Sequence, residues 1–212
     1  MIKPIKRIIK SSFIFDRYNP TRQYIELLKW ELDGKPIPVP HLVKQKTVKA
    51  YAKQYSLRTL IETGTYLGTM IEATKNNFDR IFSIELAPAL YERAQRRFAH
   101  LPHIALFQGD SSDVLPQILA QVDSPSLFWL DAHYSEGITA KGNLDTPIMS
   151  ELQQIFEHSL TEHVILIDDA REFIGQDGYP ALQDLKNYIL DQSPNHVVSV
   201  LDDVIRIHPR TE

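Results

Sequence analysis

Three acids stand out by position in this 212-residue chain. Asp131 follows the apolar run Leu127-Phe128-Trp129-Leu130, and Asp168-Asp169 follows Val164-Ile165-Leu166-Ile167. If the two runs are neighbouring strands, the three carboxylates converge on one cleft, where unpaired they repel one another. A hard divalent cation with oxygen ligands relieves that repulsion. The alternative is that Asp131 alone borders a ligand, while the acid pair caps the next loop or pairs with Arg171. His133 follows closely and is a candidate general base, because its unperturbed pKa lies near neutrality. A merely polar role is its alternative, and Lys141 in the same loop is a weaker candidate.

A second group lies upstream, in Leu60-Ile61-Glu62-Thr63-Gly64-Thr65-Tyr66-Leu67-Gly68-Thr69. Apolar, β-branched residues run into a loop with two glycines. Gly64 admits a backbone shape closed to other residues and lets a ligand approach the main chain. Amides at the start of the following helix attract polar or anionic groups. Glu85 ends another apolar run 21 residues after Gly64, where an acid can accept hydrogen bonds from both hydroxyls of a ribose. Asp110 and Ser111 follow a third run. Ser112 there is also a good helix N-cap, and Asp113 a good first-turn acid.

These groups need a frame. From residue 59 the pattern alternates: strands at 59–62, 80–85, 103–107, 126–131 and 163–167, with helices at 67–77, 87–99, 112–120, 147–158 and 180–190. Alternation of this kind predicts a parallel sheet with helices on both faces. The end of the chain departs from it. Residues 197–201 and 204–207 read as strands joined at Asp202-Asp203, a connection only a hairpin fits. One of these strands must run antiparallel to its neighbour. The connection 132–146 contains Gly137 and Gly142 and is long for an α/β unit, as a lid over a substrate would be.

Residues 1–58 differ in character. They hold 13 Lys and Arg against 4 Asp and Glu, a net of +9, while residues 59–212 hold 10 against 23, a net of −13. Residues 1–16 form a basic arm with interleaved Ile and Phe. It reads as a segment packed on the chain's own acidic body or on a second subunit, with a transit peptide or a membrane-surface arm as alternatives. Helices are expected at 21–32, with Tyr24, Leu27, Leu28 and Glu31 at helical spacing, and at 42–55, with Val43, Val48, Tyr51 and Ala52 inward. Pro36-Ile37-Pro38-Val39-Pro40 joins them as a stiff extended linker.

The glycine loop, Glu85, Asp110, Asp131 and the terminal hairpin together resemble the class I S-adenosylmethionine-dependent methyltransferases, over about residues 59–208. The resemblance implies a Rossmann-like parallel sheet closed by an antiparallel C-terminal hairpin, the seven-stranded methyltransferase fold. Residues 1–58 would be a basic arm and helical cap in front of a donor-binding domain at 59–212, and they match no family. It implies donor contacts at Glu62, Gly64, Thr65, Tyr66, Gly68, Glu85, Leu86, Asp110, Ser111 and Asp131, with Asp110 reading the adenine amino group. Asp131 would also border the reacting groups, beside His133. The acids after the fourth and fifth strands resemble the metal-dependent O-methyltransferases of the catechol and macrolide-sugar types. Carried over by position, Asp131, Asp168 and Asp169 become Mg²⁺ ligands.

The expected function is therefore O-methylation of a small molecule, such as a natural product or a sugar. The rivals are a donor-binding scaffold acting through its basic arm, and an NAD-type oxidoreductase. The missing third glycine counts against the oxidoreductase. The acidic body argues against a nucleic-acid partner. No apolar run is long enough to span a bilayer. No secretory signal and no cysteine are present, which excludes a disulfide framework and a thiolate site and makes the expected location cytoplasmic. A basic arm on an acidic body leaves a homodimer open.

Overall fold

The computed structural model describes residues 20–131 and 146–210. The elements in chain order are α1 (Pro20–Leu32), α2 (His41–Gln54), β1 (Thr59–Thr63), α3 (Thr69–Thr74), β2 (Arg80–Glu85), α4 (Pro88–Phe98), β3 (Ile104–Gln108), α5 (Ser111–Leu119), β4 (Leu127–Leu130), α6 (Ile148–Glu157), β5 (Val164–Ile167), a 3₁₀ turn (Ala170–Glu172), α7 (Leu182–Gln192), β6 (His196–Leu201) and β7 (Val204–Pro209).

The strands form one seven-stranded sheet in the order β3-β2-β1-β4-β5-β7-β6. The first five are mutually parallel, while β7 runs antiparallel to both β5 and β6. This is the parallel sheet with an antiparallel C-terminal hairpin that the pattern predicts. Asp202 and Asp203 form the hairpin turn with φ of 52° and 57°. Two positive φ values in a row match the right-handed twist of the flanking strands, and Asp tolerates that region better than most residues.

Every residue of β1, β4 and β5 is buried. Helices cover both faces, which is why these strands read as continuous apolar runs. Alternate residues serve opposite faces. Ile61, Phe128, Leu130, Ile165 and Ile167 pack with Leu115, Leu152 and Leu185 of α5, α6 and α7. Leu60, Leu127, Trp129, Val164 and Leu166 pack on the other face with Val48 and Ala52 of α2, Met70 and Ile71 of α3, and Phe98 of α4. So α2 is itself part of the layer on that face.

Several local expectations change. In α1 it is Leu27 and Trp30 that turn inward, against Val39 and Val43. Tyr24 and Leu28, which share the helical spacing, are exposed together with Ile25 and Leu32. The Trp30 indole N–H donates to the Pro36 carbonyl at 2.7 Å, which folds the linker back onto the helix and fixes that face. The helix after the glycine loop is six residues, shorter than the pattern suggests, because Gly68 just before it sits in the left-handed region. Helix α5 begins one residue early: Asp110 is its N-cap, and its side chain accepts from the Ser112 amide. Ser112 is therefore inside the helix. Among the described residues no helix is long and apolar enough to cross a membrane. The basic arm, His133, Lys141 and the expected lid lie outside the described residues.

Candidate functional site

The carboxyl edge of the sheet gathers most of the expected site. Between β1 and β4 the order of the strands reverses, with β2 and β3 on one side and β5 on the other. Open α/β sheets bind ligands at such a reversal. The loop after β1 rises from it with Gly64 at φ 87°, Tyr66 at 48° and Gly68 at 69°. A Cβ on Gly68 would stand 2.7 Å from the Phe98 ring, so this glycine lets α4 pack against the loop.

The loop's amides are mostly spent inside the protein. Gly64 and Thr65 both donate to the Ile84 carbonyl, and Gly68 donates to Thr65. The Tyr66 amide donates to Glu85 Oε2 at 2.7 Å. These four loop amides are therefore held within the protein. Glu85 also accepts from the Ala87 amide at 2.9 Å, so its carboxylate ties the loop after β1 to the loop after β2. Each carboxylate oxygen has a further lone pair for a ligand hydroxyl.

Glu62 lies beneath this loop, fully buried. Ser83 donates to its Oε2 at 2.5 Å, and Thr65 bonds Ser83 in turn at 2.6 Å. Burial pushes the Glu62 carboxyl up to about 8; the Ser83 bond opposes this, and Asp131 and Glu85 add to it. Asp110 and Ser111 sit at the head of α5 and Leu86 follows β2, so all the residues expected at the donor stand along this one edge.

The acid cluster forms through strand register. Leu130 pairs with Thr63 on one side and Ile167 on the other, so the next residues, Asp131 and Asp168, emerge side by side. The Asp131 amide donates to the Thr63 carbonyl and the Asp168 amide to the Leu130 carbonyl. Asp131, Asp168 and Asp169 each bring one carboxylate oxygen within 4.8 Å of the others.

Among the described residues, Lys44 and Arg171 meet these acids. Lys44 of α2 places Nζ 2.5 Å from Asp168 Oδ2 and 3.3 Å from Asp169 Oδ1. Arg171 lies 2.8 Å from Asp169 Oδ1 and also pairs with Asp203 in the hairpin turn. The pairing of Asp169 with Arg171 thus coexists with the convergence of all three acids. Burial works against the charge on Lys44, but Asp168 and Asp169 outweigh it and hold its pKa above the ordinary value. Asp168 is nonetheless well above the usual carboxylate range, through burial and the Asp131 charge, which Lys44 only partly offsets.

Beside the acids opens a cleft lined by Asp131, Asp168, Glu151, Thr146, Tyr179 and an apolar remainder that includes Phe173. Burial pushes Glu151 up to about 7, while the Ser111 and Thr63 hydroxyls pull it back. Glu151 Oε1 and Thr63 Oγ1 are buried and make no hydrogen bond of good geometry. Burial holds the Tyr179 phenol up at about 12, a neutral hydroxyl at ordinary pH.

Lys44 and Glu151 escape the sequence reading, though each leaves a trace. Lys44 stands one helical turn before the buried Val48 on the stripe that continues to Ala52. Glu151 stands between Ile148 and Ile155 on the buried stripe of α6. A charged residue on a buried stripe is costly unless it is paired or functional.

No protein-family model matches the chain, and no curated protein matches it in sequence. Solved structures match in fold. The O-methyltransferase TomG from Streptomyces achromogenes, involved in tomaymycin synthesis and solved with SAM, is 15% identical, with a TM-score of 0.59 over 90% of this chain and 89% of that one. An O-methyltransferase from Bacillus cereus in complex with SAH is 14% identical, with a TM-score of 0.60 over 94% and 96%. The SAH-bound methyltransferase PaMTH1 of Podospora anserina is 16% identical, with a TM-score of 0.59 over 100% and 98%. These likenesses establish that the chain has the methyltransferase fold.

Proposed function

We propose that this chain, built on the methyltransferase fold, is an S-adenosylmethionine-dependent enzyme that methylates an oxygen of a small molecule with Mg²⁺. The observation that carries the reading is the shared edge. The glycine loop, Glu85 and Asp110 stand at one side of the strand reversal, and Asp131 with its cleft stands at the other. Solved neighbours of the same fold hold SAM or SAH.

In this reading the loop at Gly64–Gly68, Glu85, Leu86, Asp110 and Ser111 hold the donor, and Glu62 supports the loop from below. S-adenosylmethionine supplies the methyl group. The cleft beside Asp131 would hold the acceptor next to the donor, and orientation of this kind accounts for much of such a rate enhancement. His133 takes the acceptor proton. The three carboxylates fit a hard cation by ligand type and by their convergence within 4.8 Å. Mg²⁺ bound there would lower the pKa of an acceptor hydroxyl. A homodimer belongs to the same reading and is checked by light scattering.

Calorimetry with S-adenosylhomocysteine tests the donor site, with affinity expected in the micromolar range, about −8 kcal/mol. Release of S-adenosylhomocysteine from the methyl donor, over a panel of catechols and sugars with and without chelator, tests the reaction. Donor binding without turnover of any acceptor would favour a scaffold. Tight binding of NAD with none of the adenosyl ligand would overturn the reading.

A further inference from the structure

We propose that Lys44 is the built-in counter-ion of the acid cluster, and that a divalent cation enters only by displacing its ammonium. This rests on the reading of Asp131, Asp168 and Asp169 as metal ligands. Three of the oxygens already have partners. Asp168 Oδ1 accepts from the Asp169 amide at 2.8 Å, Asp168 Oδ2 from Lys44 at 2.5 Å, and Asp169 Oδ1 from both Lys44 and Arg171. Lys44 therefore bridges an oxygen of Asp168 and an oxygen of Asp169. A Mg²⁺-sized ion bonds carboxylate oxygen at about 2.0–2.1 Å, so an ion held by Asp168 and Asp169 would compete with the ammonium for the oxygens it occupies.

The helix that carries Lys44 does not leave with it. Val48 and Ala52 are buried against the sheet. At the other end of the same stretch, His41 Nε2 bonds Thr69 Oγ1 at 2.8 Å, and His41 Nδ1 bonds Gln45 at 2.7 Å. Displacement is thus a swing of the flexible four-carbon lysine stem, with α2 in place. Arg171 stays where it is, held by Asp203 on the far side of Asp169.

Mn²⁺ is the probe, because it shares the preference of Mg²⁺ for oxygen ligands. Calorimetric titration of the donor-free full chain compares the wild type with Lys44→Met and Lys44→Arg. Lys44→Met should bind Mn²⁺ at least about tenfold more tightly, since a repelling charge has gone, and Lys44→Arg should bind it no more tightly than the wild type. A merely structural lysine would give the opposite sign in Lys44→Met, a weaker site. The wild type supplies a second readout that needs no variant. Acetylation of Lys44 by an N-hydroxysuccinimide ester, followed by mass spectrometry, should rise on addition of Mn²⁺.

Equal Mn²⁺ affinity in all three proteins, or labelling of Lys44 that does not change with Mn²⁺, overturns the proposal and leaves the metal site standing. Absence of Mn²⁺ binding in every protein overturns both. Binding of S-adenosylhomocysteine to the same preparations reports separately on the donor site.

Discussion

Lys44 Nζ lies 2.5 Å from Asp168 Oδ2, a contact between residues 124 apart in the chain that joins α2 to the end of β5. Both side chains are largely shielded, with 14% and 2% of their surface exposed. Removing one partner of such a pair leaves the other charge buried. Lys44→Met should therefore destabilise the metal-free protein by about 3 kcal/mol in urea unfolding. In a double-mutant cycle, Asp168→Asn on top of it should add little, because the interaction is already gone. Additive effects would show that the two residues act independently.

Gly68 is tightly confined in the loop after β1. It combines φ of 69° with a Cβ position 2.7 Å from the buried Phe98 ring. Gly68→Ala should cost about 2–4 kcal/mol, from left-handed strain together with overpacking. A loss under 0.5 kcal/mol, roughly the level of a neutral surface change, would mean that the loop shifts freely.

Glu62 makes stability depend on pH. Its pKa rises from an ordinary 4.5 to about 8 in the folded protein. Between those values the folded chain keeps a proton that the unfolded chain releases. Its contribution is thus complete below about pH 4.5 and is lost as pH rises towards 8, at up to about 1.4 kcal/mol per pH unit. Urea unfolding of the donor-free protein from pH 5 to 8 should show this decline, and Glu62→Gln should flatten it. An unchanged slope in the variant would place the proton elsewhere.

Glu85 serves two loops at once, through Tyr66 and Ala87. Glu85→Ala should weaken S-adenosylhomocysteine binding by about 1.5–3 kcal/mol, the range for a hydrogen bond to a charged group. It should also lower stability, because two backbone amides lose their acceptor. Full retention of donor affinity would remove Glu85 from the donor site.

The acid cluster predicts a split between rate and affinity. Chelation should stop turnover and spare most donor binding. Asp168→Asn and Asp169→Asn should each cut the rate more than the donor affinity, whereas Asp131→Asn, at the end of the strand paired with β1, should harm both. Turnover that survives chelation would remove the metal from the reaction and leave His133 to activate the acceptor.

The buried strands are legible in the chain because their cause is local. Leu127-Phe128-Trp129-Leu130 and Val164-Ile165-Leu166-Ile167 are covered on both faces, and an unbroken apolar run is what two covered faces require. The hairpin follows from so short a connection at Asp202-Asp203. The ends of those runs then place Asp131 and Asp168 at one edge of the sheet.

Tertiary structure alone decided who meets those acids. Lys44 reaches Asp168 only because α2 packs across the sheet, and Asp203 reaches Arg171 only because β7 lies beside β5. It also decided that the loop amides at Gly64, Thr65 and Tyr66 are spent on β2, and that Asp110, not Ser112, caps α5. The physical reason is range. Periodicity and turn chemistry act over a few residues and can be read along the chain. The pairing of charges depends on which surfaces are packed together, and that is set only when the helices settle on the sheet.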